Sequence, residues 1–405
     1  MTELPTANAR VSPSSNLAML AFILIALVVT MGVNQEDVVP PGSIVYWLLI
    51  LPALVFPLFN LNAIFRACLT WPTCLLVGML GLIAVWHLSV GDPQSVLRTM
   101  MMVLILAWAS SEPAQLRIKD LVRVYVVILL LGVLVYLVTN RVNNWGPLPG
   151  LTALDYGVWR VSFFPNIAYS AFLSLFMVLV LTIDGLPKRW LLPFLLVCLF
   201  YVATSFVRTA AIGLAIYVLV RFLLRKQTSP TRIFWISAGV AVFANIIIAM
   251  SPALLQLVQH VPFVSRLLLR GEANLDMRDI YIQLFRPWVW WQHIQIFASS
   301  PYLMGWGNFD FNALKTESLI DAVDWSDTVS MPTRLLASHG LPTLLFVWFS
   351  FAQLRRRALE QDIWACACFA PIVLTAMQWG SLFHPSDPMF LLFFLILVGG
   401  RKAFS

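Results

Sequence analysis

Arginine is the residue type here with the clearest chemical potential, because of where it stands rather than how often it occurs. Arg208 falls between two apolar runs, 194–206 and 209–224, which leave only a hairpin-tight connection around it. Burying a lone arginine at such a place costs several kcal/mol, so the position calls for a partner or a ligand. Arg286 heads a stretch carrying Trp288, Trp290 and Trp291, and Arg98, Arg141, Arg160, Arg266, Arg270, Arg278 and Arg334 lie between the apolar runs or at their ends. A guanidinium is planar, permanently charged and forked, and it grips phosphate oxygens at two points where an ammonium offers one. Such a set suits a phosphorylated or acidic ligand. The competing reading places these arginines at lipid headgroups or pairs them with Asp155, Glu272, Asp276, Asp279, Asp321, Asp324 and Asp327.

Proton-transfer groups are sparser. Asp324, Asp327 and His339 come late in the polar stretch or just after it, where a carboxylate or imidazole within hydrogen-bond reach could serve as general base for a hydroxyl. Each alone also has a plain structural reading. Glu36 and Asp37 offer acidic groups further upstream, with a solvated loop as their alternative. Gly305-Trp306-Gly307-Asn308-Phe309 reads as a tight turn whose glycines allow positive φ and close backbone approach.

These residues need elements to hold them, and composition says of what kind. Sixty per cent of the 405 residues are hydrophobic and 11% are charged, against roughly 25% charged in an ordinary soluble domain. The expectation is an all-α integral membrane protein with about twelve spanning helices. Apolar windows place them near 17–35, 42–59, 72–90, 97–111, 121–139, 165–183, 190–206, 208–224, 232–250, 341–354, 363–380 and 386–400. The run from Leu17 leads into Glu36 and Asp37 without a small-residue cleavage site, so it reads as the first span and not as a secretory signal. Cys68, Cys74, Cys198, Cys366 and Cys368 fall in or beside apolar runs and read as packing residues.

With the N-terminus inside, the cytoplasmic turns carry Arg66, Arg117, Lys119, Arg123, Lys188, Arg189, Arg221, Arg225, Lys226, Arg232, Arg355, Arg356, Arg357, Arg401 and Lys402. Both termini are then cytoplasmic, as positive-inside bias demands. The net charge of +7 is explained by that bias, so nucleic acid is not invoked. The division is residues 1–250 as helices one to nine, 251–333 as a long extracytoplasmic loop with amphipathic helices, and 334–405 as helices ten to twelve. In this topology Arg98, Arg141, Arg160, Arg208, Arg266, Arg270, Arg278, Arg286 and Arg334 all fall on or near the outer face, and among the lysines only Lys315 joins them. The loop tryptophans read chiefly as an interfacial belt, with a sugar-contacting lid as the sharper alternative.

At this point the chain resembles the bacterial O-antigen ligase and O-antigen polymerase family. The resemblance rests on Arg286-Pro-Trp-Val-Trp290, on Ser300-Pro301-Tyr-Leu-Met-Gly305-Trp-Gly307-Asn308-Phe309, on Arg208-Thr209-Ala210 after Thr204-Ser205, and on Arg160-Val-Ser-Phe-Phe-Pro165-Asn166. In the order of these motifs it covers most of the chain from about residue 100 to 400. The ligases carry a His and then Asn, Ser or Gln, nine residues, Gly, two residues, and Gly, Thr or Tyr. Ser330, Gly340 and Thr343 fit that frame, but Val329 stands at the histidine position, and His339 is elsewhere. This departure favours a polymerase.

The resemblance implies transfer of a glycan from an undecaprenyl-diphosphate carrier to a second lipid-linked repeat unit, on the periplasmic face of the bacterial inner membrane. It implies Arg208 and Arg286 as the catalytic cations that stabilise the departing diphosphate. Asp327 and His339 are the candidate bases. Arg160, Arg270, Arg278, Arg334, Gly305 and Gly307 are expected at the substrate. The scheme needs neither metal nor cofactor; the expected partners are the lipid-linked oligosaccharide, the bilayer and a chain-length regulator protein. Two alternatives stand beside it: a ligase moving finished glycan to lipid A core, and a transporter of lipid-linked sugars. Transporters gather ionisable groups at the midplane, whereas these helix interiors are almost free of charge.

Overall fold

A computed structural model describes residues 61–69, 73–110, 118–139, 167–205, 207–261, 275–307, 309, 311–315, 330–379 and 388–404. Among them the chain is all-α, with no strand. In order the helices are α1 (Leu61–Cys68), α2 (Thr73–Ser89), α3 (Pro93–Ser110), α4 (Ile118–Thr139), α5 (Ile167–Leu181), α6 (Lys188–Thr204), α7 (Arg208–Leu224) and α8 (Pro230–Ala249). There follow α9 (Ser251–Val258), α10 (Met277–Gln283), α11 (Phe285–Ala298), α12 (Phe311–Leu314), α13 (Met331–His339), α14 (Thr343–Leu359), α15 (Ile363–Ala376) and α16 (Pro388–Phe394). The last continues through a π turn, Leu395–Gly399, into a 3₁₀ turn, Gly400–Phe404.

Helices α2 to α8 and α14 to α16 stand where apolar windows put them, within a few residues at each end; the windows 17–35 and 42–59 lie outside the described residues. One helix, Pro230–Ala249, is long and apolar enough to cross a membrane, while α2, α15 and parts of α3, α5 and α6 are shorter apolar helices. At about 1.5 Å per residue, α8 reaches roughly 30 Å.

Helices α5 and α15 are buried almost throughout, whereas α2, α7, α8 and α14 are apolar on their outward faces as well as their inward ones. Their inward faces make a core that includes Trp108, Phe172, Phe176, Phe349, Phe369 and Phe394. Their outward faces keep Leu82, Val85, Val218, Phe222, Trp235, Phe243 and Trp348 exposed. Helix α15 is the centre of the packing, with α7, α8 and α14 against it. The α7 face allows close approach because Gly213 sits there: a Cβ would lie 2.9 Å from Leu175 Cδ2 and 3.7 Å from Pro371 Cβ.

One end of the bundle is closed by paired charges. Arg221 reaches Asp184, Tyr217 Oη and, at 2.7 Å, the Thr182 carbonyl. Trp364 Nε1 donates to the Leu179 carbonyl at 2.7 Å. Asp362 accepts from the Ala365 and Arg401 amides at 3.0 and 2.7 Å, and Arg357 donates to Glu360. Arg208 begins α7, 13 residues before Arg221, and so lies about 20 Å away at the other end.

Helices α9 to α13 form a second group. Helix α10 packs on α9, and α11 packs on α10 and chiefly on α13. The boundary expected at 333/334 falls inside α13, which belongs with the loop helices by this packing. The belt reading of the tryptophans needs correction too: Trp288 and Trp290 are buried, and of the three on α11 Trp291 alone is exposed. Gln292 and His293 are buried on the same helix while Ile294 is exposed, so α11 turns polar groups inward. The reason is its pairing with α13.

Candidate functional site

Helices α11 and α13 run side by side in the same direction. His293 Nδ1 meets Thr333 Oγ1 at 3.0 Å, and one turn later Trp306 joins both helices, its Nε1 donating to the Ile296 carbonyl at 3.0 Å and its amide to the Ala337 carbonyl at 2.9 Å. Continuing that register one turn back brings Trp290 level with Ser330, the N-cap residue of α13. Arg286, Trp290 and His293 are spaced i, i+4, i+7 and share one stripe of α11. Arg334 projects from the first turn and a half of α13, close enough that its charge opposes protonation of His293.

This junction is rich in buried polar atoms with unused capacity. Trp290 Nε1, His293 Nε2 and Ser330 Oγ are all buried without a hydrogen-bond partner. Burial holds the His293 pKa down to about 3, with the Arg334 charge adding to the effect, so the ring is neutral at physiological pH. Phe309 and Phe311 pack edge-on against it. The first turn of a helix adds amide groups and the positive end of the macrodipole. The arrangement can hold an anion.

The glycine turn does what its residues were expected to do, and its target is the other end of α13. Gly305 and Gly307 have φ of +82° and +72°. The Trp306 and Gly307 amides donate to the Ala337 and Ser338 carbonyls at 2.9 and 2.8 Å, satisfying two of the acceptors that a helix C-terminus leaves open. A Cβ on Gly305 would lie 2.3 Å from the Ser338 oxygen, and one on Gly340, at φ +67°, would lie 2.1 Å from the Leu303 oxygen. The Leu341 amide completes the clasp by donating to that Leu303 carbonyl at 2.9 Å. Thr343 Oγ1 donates to the Leu335 carbonyl at 3.0 Å. Gly340 and Thr343 of the ligase-like frame therefore have backbone tasks, tying α13 to α14.

His339 ends α13 beside a partner that sequence reading passed over. His87, wholly buried near the end of α2, places Nε2 at 2.9 Å from His339 Nδ1, with the rings edge-on. Asp92 Oδ2 lies 3.7 Å from His87 Nδ1. The available signal was a histidine inside an otherwise apolar run, a position that by itself suggests function.

The remaining candidates are spread more widely. Arg208, half-buried, starts α7 after the short turn from Ser205, whose Oγ accepts from the Val207 amide at 3.4 Å. Helix α7 packs mainly on α15, α8 and α5, so its principal neighbours differ from those of α11, which carries Arg286. Arg286 and Arg334 are half-buried, while Arg278 is exposed at the start of α10. Arg160, Arg270 and Asp327 lie outside the described residues. Among the described residues no three His, Cys, Asp or Glu side chains gather to hold a metal ion. Against known proteins, no family model matches the chain and no curated protein matches it significantly.

Proposed function

We propose that this chain is a surface-polysaccharide polymerase of the inner membrane. It would transfer a glycan from an undecaprenyl-diphosphate carrier to a lipid-linked repeat unit on the periplasmic side. The observation that carries the reading is the junction of α11 with the first turn of α13, where Arg286, Arg334 and the buried donors Trp290, His293 and Ser330 gather. Departure of a diphosphate concentrates negative charge on oxygen, and preorganised cations and donors in a poorly hydrated site stabilise that charge more than water would. Arg208, at the same end of the bundle, supplies a further cation for the carrier phosphates.

The membrane part of the reading is supported by helices apolar on both faces and by the distribution of charge. Arg221, Arg357 and Arg401 gather at the end assigned to the cytoplasm; Arg208, His339 and Arg334 lie towards the other. The deciding experiment is deletion of the gene followed by gel analysis of lipopolysaccharide and other surface glycans. A single repeat unit on the core is the expected result. Bare core would replace the polymerase with a ligase, and unchanged glycans of every kind would overturn both.

A further inference from the structure

The unpaired atoms at the start of α13 have one property in common. Trp290 Nε1, His293 Nε2 and Ser330 Oγ belong to side chains at most 5% exposed, and none has a hydrogen-bond partner, although buried polar groups are ordinarily paired. Each is a donor. The indole nitrogen of Trp290 can do nothing else. Ser330 is the N-cap residue of α13, of a type whose oxygen ordinarily turns back to the helix amides, yet it makes no capping bond. Its hydroxyl is directed elsewhere.

For His293 the proton is placed by Thr333. Nδ1 stands 3.0 Å from Thr333 Oγ1, and among the described residues this is that hydroxyl's one hydrogen bond. A hydroxyl that merely accepted would leave its own proton without an acceptor, beside the Phe309 and Phe311 rings that pack on this histidine. Thr333 therefore donates to Nδ1, and the neutral ring carries its proton on Nε2. Three donors answer to an oxyanion, and a terminal phosphate has three unbridged oxygens. The phosphorus next to the sugar of a lipid-linked glycan has two, because the anomeric carbon holds the third oxygen.

We propose that Trp290, His293 and Ser330 form a tripod for the terminal phosphate of a free prenyl diphosphate, selective for the released carrier over the glycan-loaded one. Thr333 positions it by fixing the His293 proton on the nitrogen that faces the phosphate. This rests on the polymerase reading. In the transfer, the bond from the anomeric carbon to the phosphate oxygen breaks and its electron pair stays on that oxygen. The acceptor hydroxyl oxygen takes the carbon and releases its proton to water. Two arms of the tripod hold the oxygens present beforehand, and the third meets the oxygen that gains charge. The released carrier is consequently a product inhibitor.

The test is calorimetric titration of the full-length protein in lipid nanodiscs with a short-chain prenyl diphosphate, free and with a sugar on its terminal phosphate, beside chain extension in the same nanodiscs. The free form is expected to bind about tenfold more tightly or better, the contribution of one hydrogen bond to a charged oxygen; equal affinities would overturn the tripod. Inorganic diphosphate should compete, since the recognised group is the phosphate, and failure to compete would overturn it too. His293→Leu and Ser330→Ala should each weaken binding of the free form about tenfold, whereas His293→Gln, which keeps a donor near Nε2, should retain most of it. Without ligand, Ser330→Ala should melt no lower than wild type, because the hydroxyl it removes is unpaired. A merely structural serine would give the reverse, a lower melting temperature with binding intact. In ¹⁵N NMR spectra of histidine-labelled protein, His293 should be protonated on Nε2; Thr333→Val should lose that preference and bind more weakly, and Thr333→Ser should restore both. Protonation on Nδ1 in the wild type refutes the proposal. Chain extension without preference for the free diphosphate defeats the tripod and leaves the polymerase reading standing. Selective binding through these residues without any glycosidic bond formed defeats the polymerase reading and leaves a prenyl diphosphate site.

Discussion

Gly307 and His87 are in contact across 220 positions of sequence: the glycine Cα approaches so closely that any added Cβ would lie 3.0 Å from the ring Cε1 and 3.1 Å from Nδ1. The same glycine donates its amide to the Ser338 carbonyl, next to His339. One residue thus holds the imidazole from one side and the end of α13 from the other.

Three glycine-to-alanine variants should separate conformational strain from collision. Gly91 has φ +76° with open space around it, so Gly91→Ala is expected to cost about 1 kcal/mol from the left-handed backbone alone. Gly307→Ala adds a push on His87, costing roughly 1 kcal/mol more, and should reduce chain extension as well. Gly340→Ala would drive Cβ to 2.1 Å from a backbone oxygen and should fail to fold. Thermal unfolding in detergent orders the three, and equal melting temperatures would contradict the clasp.

Arg286 can be tested by exchange as well as by removal. Arg286→Ala and Arg208→Ala are each expected to abolish long glycan chains while protein level in the membrane stays normal. Arg286→Lys keeps the charge but loses the two-point grip, and should retain only a small part of wild-type activity. Chain-length ladders of wild-type pattern in both alanine variants would remove the arginines from the site.

His293 predicts a pH dependence of stability. Its folded pKa of about 3 lies below the ordinary histidine value of 6.5, so between those limits the unfolded chain binds a proton that the native protein does not. Stability therefore falls as pH drops from about 6.5 towards 3, by up to roughly 1.4 kcal/mol per pH unit from this residue. His293→Gln should flatten that dependence relative to wild type. Unfolding measured at intervals from pH 4 to 7 gives the slopes, and parallel curves would refute it.

Trp364 is buried and donates to the buried Leu179 carbonyl at 2.7 Å. Trp364→Phe keeps most of the ring but leaves that carbonyl without its donor, at an expected cost of about 1–2 kcal/mol. A fall of a few degrees in melting temperature with unchanged polymerisation is the outcome to look for, since this contact lies at the end of the bundle away from His339.

Much of the helix content was legible in the amino-acid order. A span shows itself as a local run of apolar residues bounded by turn formers, and α2 to α8 and α14 to α16 stand where those runs lie. The turn at Gly305 and Gly307 was equally legible, because positive φ is a demand on single residues that glycine meets at least cost. The facing of α11 was not. A helix rich in tryptophan looks interfacial by composition, yet Trp288 and Trp290 are buried because α13 lies against them.

By itself, then, the sequence determined where helices begin and end, how apolar they are and where glycine is needed, because each depends on neighbours within a few residues. It also singled out Arg286 and His339 as groups able to act on a phosphate or a hydroxyl. Only the tertiary structure decided that Trp290, His293 and Ser330 gather in one buried junction, and that His339 meets His87, which lies 252 positions away. Those meetings follow from which helix faces pack together. That choice is settled by close packing over the whole bundle, here at the expense of three buried polar atoms left without partners, and no local stretch of sequence records it.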